Sequence, residues 1–477
     1  KDFSFTGAGF TAAQGAPQWT MEFRAAWIPA FGASFHLGLD GLSMLMIVLT
    51  NLLGVMAVLS SWRDIDRAPG FFHLNLLWNL GGVVGVFLAL DLLLFFFLWE
   101  VMLVPMYFLI ALWGHDAPGG RTKVYAATKF FVYTQASGLL MLVAILGLAF
   151  VHYNATGIVT FDYHDLLGTP MAAPIEWLLM LGFFLSFAVK MPIVPLHGWL
   201  PDAHTNAPVG GSVDLAGILL KTAAYGMLRF GIPLFPHASL ELAPLAMWLG
   251  VAGVIYGAVI AFSQNDIKRL VAYTSISHMG FVVIGIYAGT EQALIGVVVQ
   301  MIAHGLSAGA LFILCAQIHE RLQTRDLRNM GGLWTRLPNL PRILLFFALA
   351  SLGLPGLGNF VGEFLILSGT FVVAPWVASV ASSGLIFAAV YALIMVRRAL
   401  HGPMQGAVAD PSLTFGDLTR GQLAMMLTLV ALLVGVGLHP QPIIDVARAP
   451  VHAFNAIYQF KSATIDDRVL VPTGVTP

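Results

Sequence analysis

Glu100, Lys190, Lys221 and Glu363 each lie inside a long apolar stretch of the sequence. A lone carboxylate or ammonium at mid-bilayer costs about 2.5–3.5 kcal/mol even on the insertion scale. Such residues face a bundle interior or a hydrated cavity and mark ion or proton routes. The chemistry open to two carboxylates and two amines there is proton exchange. Desolvation and a nearby carboxylate pull a lysine's proton affinity in opposite directions. A Glu100–Lys190 pair could therefore hold a proton or release it as the glutamate moves, titrating as one coupled unit. The plainer alternative is a static buried salt bridge that fixes helix packing.

Further polar residues sit where they could extend such a route. Asp214 precedes Lys221 by seven residues, two turns along one helical face, and could feed it protons or merely solvate that helix end. Gln300, His304 and Ser307 form a stripe at i−4, i and i+3, and Thr274 and His278 lie four apart. Imidazole accepts on one nitrogen and donates on the other, which suits a relay, although such histidines also serve as packing residues. His197, Asp202 and His204 in PLHGWLPDAH form an intake funnel or satisfy a loop. Glu363 follows a Gly–Pro break, as the last exchangeable group of the route or as a cap on half-helix amides.

These residues need a membrane scaffold, and the composition supplies one. The chain is 58% hydrophobic and 10% charged, against roughly 25% charged for soluble proteins. A net charge of −1 offers no field for nucleic acid. The single cysteine, Cys315, excludes an internal disulfide and a four-thiolate iron–sulfur site. No HExxH, Walker A loop or GxGxxG fingerprint occurs, so metal and nucleotide sites are not expected. Redox chemistry, if any, belongs to another polypeptide.

A span needs about 20 apolar residues. Twelve crossings are expected, at about 41–61, 71–90, 92–113, 130–152, 175–199, 207–232, 243–263, 267–288, 291–316, 341–375, 376–398 and 421–438. The run 341–375 is broken at LGLPGLGN and 175–199 at Lys190-Met191-Pro192 and Pro195. With alternating loops, one face collects fifteen Lys and Arg, among them Arg121, Lys129, Lys268, Arg269, Arg325, Arg397 and Arg398, and the other Arg229 alone. The positive-inside rule makes the first face cytoplasmic. The fold class is an all-α polytopic membrane protein. Interrupted helices in corresponding positions point to an inverted repeat with its ion site between the halves, here five-helix units at 71–232 and 243–398. Residues 1–40 and 439–477 are expected as periplasmic segments flanking single spans at 41–61 and 421–438. The chain starts at Lys1, and truncation rather than processing is expected.

The stretches FFFLWEVMLVPMYF (95–108), FAVKMPIVPLHGWLPDAHTNAPVGGSVDLAGILLKTAAYGMLRF (187–230), DIKRLVAYTSISHMGF (266–281) and GLPGLGNFVGEF (353–364) resemble the antiporter-like subunits of proton-pumping NADH:quinone oxidoreductase, respiratory complex I. The resemblance covers almost the whole chain. It implies a fourteen-helix family fold of which the first two helices are missing here. It also implies that Glu100, Lys190, Lys221 and Glu363 are the family's proton-carrying residues. Glutamate at position 363, where the L- and N-type branches carry lysine, resembles the M-type branch. The implied setting is the bacterial inner membrane, beside L- and N-type and small membrane-arm subunits, with no cofactor in this chain. NADH, FMN, iron–sulfur clusters and quinone are then expected in other subunits. Competing readings are a subunit of a multisubunit sodium/proton antiporter or membrane-bound hydrogenase, and a structural spacer that moves no ions.

Overall fold

The structure, a computed structural model, describes residues 4–5, 19–116 and 122–469, with main chain only for 4–5 and 459–469. Lys1, Arg121 and the last eight residues lie outside the described residues.

Before the first span the backbone is extended. Strand β1 (Ser4–Phe5) pairs with β2 (Met21–Ile28), which pairs antiparallel with β3 (Ala33–Leu39) in the register Met21↔Leu39 to Ala26↔Ser34. Gly32 turns the hairpin at φ +69°, a conformation glycine adopts without strain.

The remaining chain is helical. In order, the spans are α1 (Gly41–Ser61), α2 (Pro69–Leu88), α3 (Leu92–Trp113), α4 (Lys123–Thr156) and α5 (Ala173–Lys190). A short helix α6 (Leu200–Asn206) follows, then α7 (Val209–Leu234), α8 (Pro236–Ser263), α9 (Ile267–Ala288) and α10 (Glu291–Leu322). After them come the two shorter apolar helices α11 (Leu340–Ser351) and α12 (Gly358–Val373), the spans α13 (Pro375–Ala399) and α14 (Arg420–Leu438), and finally α15 (Gln441–Val469). Eleven of the described helices are long and apolar enough to cross a membrane, and α11 with α12 supplies the interrupted crossing. The starts are chemically marked: Asp91, Thr122, Asp266 and Thr290 accept backbone N–H groups at the N-termini of α3, α4, α9 and α10.

Both expected interruptions are present. Helix α5 ends at Lys190, turns through Pro192 and Pro195, and resumes as α6. Lys190 thus sits in the last turn of a half-helix, where the exposed carbonyls favour a cation. Helix α11 stops at Ser351, and α12 restarts after the Gly–Pro segment. A third irregularity is absent from the sequence pattern. Helix α7 contains two π turns, Leu215–Leu219 and Met227–Gly231, on either side of Lys221. Asp214 and Lys221 therefore are not two regular α-turns apart, because a π turn takes an extra residue.

The central parts of helices α9 and α10 lie wholly inside the bundle, whereas α14 faces mostly outward. The segment beyond 439, read from sequence as a tail, forms α15. Its Ala447, Val451 and Phe454 make a buried stripe at i, i+4 and i+7. Asn455 and Tyr458 donate to the carbonyls of Gly289 and Ile286 at the end of α9.

Candidate functional site

Four of the sequence-selected residues join in one line through α7, α10, α9 and α12. Lys221 Nζ lies 2.7 Å from His304 Nδ1 and also donates to the Ala216 carbonyl in the first π turn. The His304 and His278 rings are 5.4 Å apart between centroids. His278 Nδ1 is 2.7 Å from Glu363 Oε1, and Gln300 Nε2 donates to the same oxygen at 3.1 Å. His278 Nε2 meets the Tyr391 hydroxyl at 3.2 Å. All five titratable side chains are buried. Glu363 reaches this position because α12 packs closely on α10: a Cβ on Gly362 would lie 2.8 Å from the Gln300 Cα. Glu363 is partnered by side chains, not by the amides of its own half-helix. The capping alternative is thereby replaced.

The other pair is arranged differently. Lys190 and Glu100 form no close ion pair, and Lys190 Nζ has no protein hydrogen-bond partner, while the Glu100 carboxylate lies beside Gln135. The static salt bridge is therefore not what this conformation holds. Lys190 Nζ instead stands 3.8 Å from the Trp99 ring centroid, where the ring face stabilises an ammonium. Gly138 of α4 opposes Glu100, with room for the carboxylate only because no Cβ is present.

At the cation-rich end the funnel residues separate into two groups. Asp202 is held by Lys129 at 2.8 Å and by Arg269 at 2.9 Å, so it clamps α6 to α4 and α9. At the opposite end of α6, Arg325 and Lys268 donate to the carbonyls of Thr205 and Ala207. They neutralise the negative end of the half-helix. Lys129, Lys268 and Arg325 are thus structural cations, not free loop charges. His204, by contrast, is fully buried, stacks on Phe312 at 4.5 Å and has no protein partner at either ring nitrogen. His197 packs its ring against Tyr256. Asp214 accepts from Asn79 and keeps one oxygen without a protein partner.

Arg229, expected alone in a loop on the cation-poor face, is instead inside α7, fully buried and paired with Asp40. Trp19, Tyr225 and Phe454 surround its guanidinium. Near it the hairpin carries its own cluster. His36 Nδ1 meets Asp162 at 2.6 Å and Nε2 meets Glu22 at 2.6 Å. Burial opposes the charge on His36, but Asp162 and Glu22 outweigh it and hold its pKa above the ordinary value. Burial likewise pushes Asp162 up, but His36, the His164 amide and Arg24 pull its pKa below the ordinary value.

Tyr391, Trp99, Asn79, Lys268 and Arg325 were not singled out for these contacts from the sequence. The available signal was weak, a polar or aromatic residue within an apolar run, and many such residues do nothing beyond packing. No group of three or more potential metal ligands occurs among the described residues.

Residues 89–388 match the family described as the NADH:quinone oxidoreductase/Mrp antiporter transmembrane region. The chain belongs to that family. All four central charged residues, His278, His304 and the whole of α5 through α12 lie within the match, while Tyr391 falls just beyond it. Two antiporter-family relatives, both NADH-quinone oxidoreductase subunit M, come from Pseudomonas aeruginosa and Escherichia coli K12. They are 65% and 62% identical, covering 92% and 93% of this chain and 85% and 87% of the relatives. Among solved structures, a chain of respiratory complex I from Thermus thermophilus with bound NADH superposes with a TM-score of 0.82 at 32% identity, over 93% of this chain and 90% of that one. The Mrp complex of Dietzia has a chain of the same fold, with a TM-score of 0.78 at 20% identity, over 93% and 89%.

Proposed function

We propose that this chain is the M-type proton-translocating membrane-arm subunit of a bacterial NADH:quinone oxidoreductase. It moves protons from cytoplasm to periplasm and is driven by electron transfer in other subunits. The observation that carries the reading is the line Lys221–His304–His278–Glu363, in which both ends sit within 2.8 Å of a histidine nitrogen. Four exchangeable groups in such a line favour proton movement over a passive spacer, which needs no titratable chain across its centre. Identities of 62–65% to quinone oxidoreductase subunits favour this reading over an antiporter subunit, where the likeness is one of fold.

In this account His204 feeds the line from the cytoplasmic side, and Glu363 is the last exchangeable group before the periplasm. Glu100 and Lys190 form the switch of the first five-helix unit, 71–232. Lys221 contributes to the interface with the second unit, 243–398. Polar atoms without protein partners at Lys190, His204, Asp214 and His304 suit bridging by water, which satisfies buried polar groups at two to four hydrogen bonds each. NADH, FMN, the iron–sulfur clusters and quinone belong to neighbouring subunits, as do the L- and N-type partners. The test is Lys190→Met and Lys221→Met in the assembled complex. Each is expected to abolish most coupled pumping with assembly retained, and Lys221→Arg to fail as a rescue because guanidinium does not deprotonate in the working range. Normal pumping by either methionine variant refutes the transport role.

A further inference from the structure

We propose that Tyr391 is a positioning residue. It fixes which nitrogen of His278 carries a proton, so that the His278–Glu363 contact closes only when a transported proton lies within it. The inference rests on the reading that His278 and Glu363 belong to the path, and it follows from counting donors. A tyrosine hydroxyl has one proton. Tyr391 donates that proton to the Ser351 carbonyl at 2.8 Å, a group that can only accept. The hydroxyl's remaining contact, 3.2 Å to His278 Nε2, is then a bond in which the hydroxyl accepts and Nε2–H donates. His278 is thereby held with hydrogen on Nε2, and Nδ1 is the only nitrogen whose proton can change.

Nδ1 faces Glu363 Oε1 at 2.7 Å. With hydrogen on Nε2, two protonation states make that contact a hydrogen bond. Either Nδ1 holds a proton, giving imidazolium and carboxylate, or Oε1 holds it, giving neutral imidazole and carboxylic acid. Transfer moves one proton along the Nδ1–Oε1 line, breaking the N–H bond as the O–H bond forms, with no other change. If that proton leaves, the Nδ1 lone pair meets a carboxylate and the contact must open. Were Tyr391 absent, neutral His278 could shift its hydrogen to Nδ1 and keep the contact closed with no transported proton present. Closure would then cease to report occupancy.

Ser351 gives this arrangement its place in the fold. It is the last residue of α11, and a carbonyl at a helix C-terminus has no intrahelical partner. Tyr391 on α13 therefore ties the broken helix to the relay histidine of α9. The other polar groups at His278 are Gln300 and His304 from α10, and Gln300 Nε2 is 3.5 Å from Nδ1. Neither holds Nε2, so the tautomer depends on Tyr391.

The experiment is solid-state NMR of the assembled complex with ¹⁵N-labelled histidine, using His278→Gln to identify the His278 signals. In the wild type and in Glu363→Gln, Nε2 is expected to stay protonated throughout, with only Nδ1 changing. In Tyr391→Phe, the neutral Nδ1–H form should rise about fivefold relative to Nε2–H, the effect of losing one neutral hydrogen bond. Protons pumped per quinone reduced should fall at least twofold. Nδ1–H as the major neutral form of wild-type His278, or a Tyr391→Phe variant with unchanged tautomer ratio and pumping, overturns the proposal. Should the phenylalanine variant fail to assemble, the wild-type and Glu363→Gln spectra decide alone. Normal pumping by Glu363→Gln would instead remove Glu363 from the path and leave the tautomer assignment standing.

Discussion

Gly138→Ala moves the Glu100 carboxylate without altering its charge. A Cβ at position 138 would lie 1.9 Å from Glu100 Oε1, against ordinary contact beginning near 3.4 Å, so the oxygen must retreat by about 1.5 Å. The obstruction is the mobile end of a side chain, and Gly138 lies inside α4, where alanine favours the helix by about 1 kcal/mol over glycine. The fold should therefore survive. Glu100 and Lys190 stand beyond ion-pair distance, about 4 Å. A shift of the charge separation between about 4 and about 5.5 Å changes the interaction of two unit charges by roughly 1 kcal/mol at an effective dielectric of about 20. That is the upper bound for this pair, since the change shrinks with distance, and it corresponds to roughly fivefold in the occupancy of the lysine proton. The assay is proton pumping and quinone reduction by the reconstituted complex, with assembly quantified in parallel. Pumping should change by up to roughly fivefold in a fully assembled complex. Pumping and quinone reduction equal to wild type would show that the carboxylate's position does not govern the lysine, and the switch reasoning would fail.

Three further predictions concern the supports of the site. Arg229→Met leaves the Asp40 carboxylate buried without its cation and should cost about 3–5 kcal/mol. The Asp40→Asn, Arg229→Met pair should recover most of it, as read by thermal unfolding of the detergent-solubilised complex, whereas equal losses in single and double variants argue against the pairing. The hairpin should be pH-sensitive. His36, with its pKa held above 6.5, contributes stability that is full below about 6.5 and lost as pH rises through the folded value. Asp162, held below 3.8, contributes stability present above about 3.8 and lost as pH falls through its folded value. Hydrogen exchange of residues 33–39 should accelerate on raising pH through that upper limit, beyond the intrinsic rise, and His36→Gln should remove the extra component. Glu363→Gln should impair pumping while Glu363→Lys retains part of it; normal pumping in Gln with failed assembly in Lys would make Glu363 structural.

The sequence made legible the features that membranes penalise most. Buried charges, proline breaks and the asymmetry of Lys and Arg each carry a cost large enough to leave a pattern. Glu100, Lys190, Lys221, Glu363, His278 and His304 were accordingly visible as candidates, and apolar length located the spans but not all their ends: α4 begins at Lys123 rather than near 130, and α8 at Pro236 rather than near 243. What stayed hidden depends on small energies or on tertiary pairing. The π turns beside Lys221 shift the backbone by one residue and leave no compositional trace. The pairing of Arg229 with Asp40 joins residues far apart in the chain, so hydropathy alone assigned Arg229 to a loop. Helix α15 has a narrow apolar stripe within a polar segment, and its existence rests on docking to α9 and α10 rather than on its own propensity.

The most direct measurement of the central claim is the number of protons translocated per NADH oxidised by assembled complex carrying His278→Leu. Leucine fills similar space but offers no nitrogen, so Glu363 loses its 2.7 Å partner and the link to His304 is cut. The account predicts a stoichiometry clearly below wild type, with assembly intact. An unchanged stoichiometry would show that protons do not travel from Lys221 to Glu363 through the histidines.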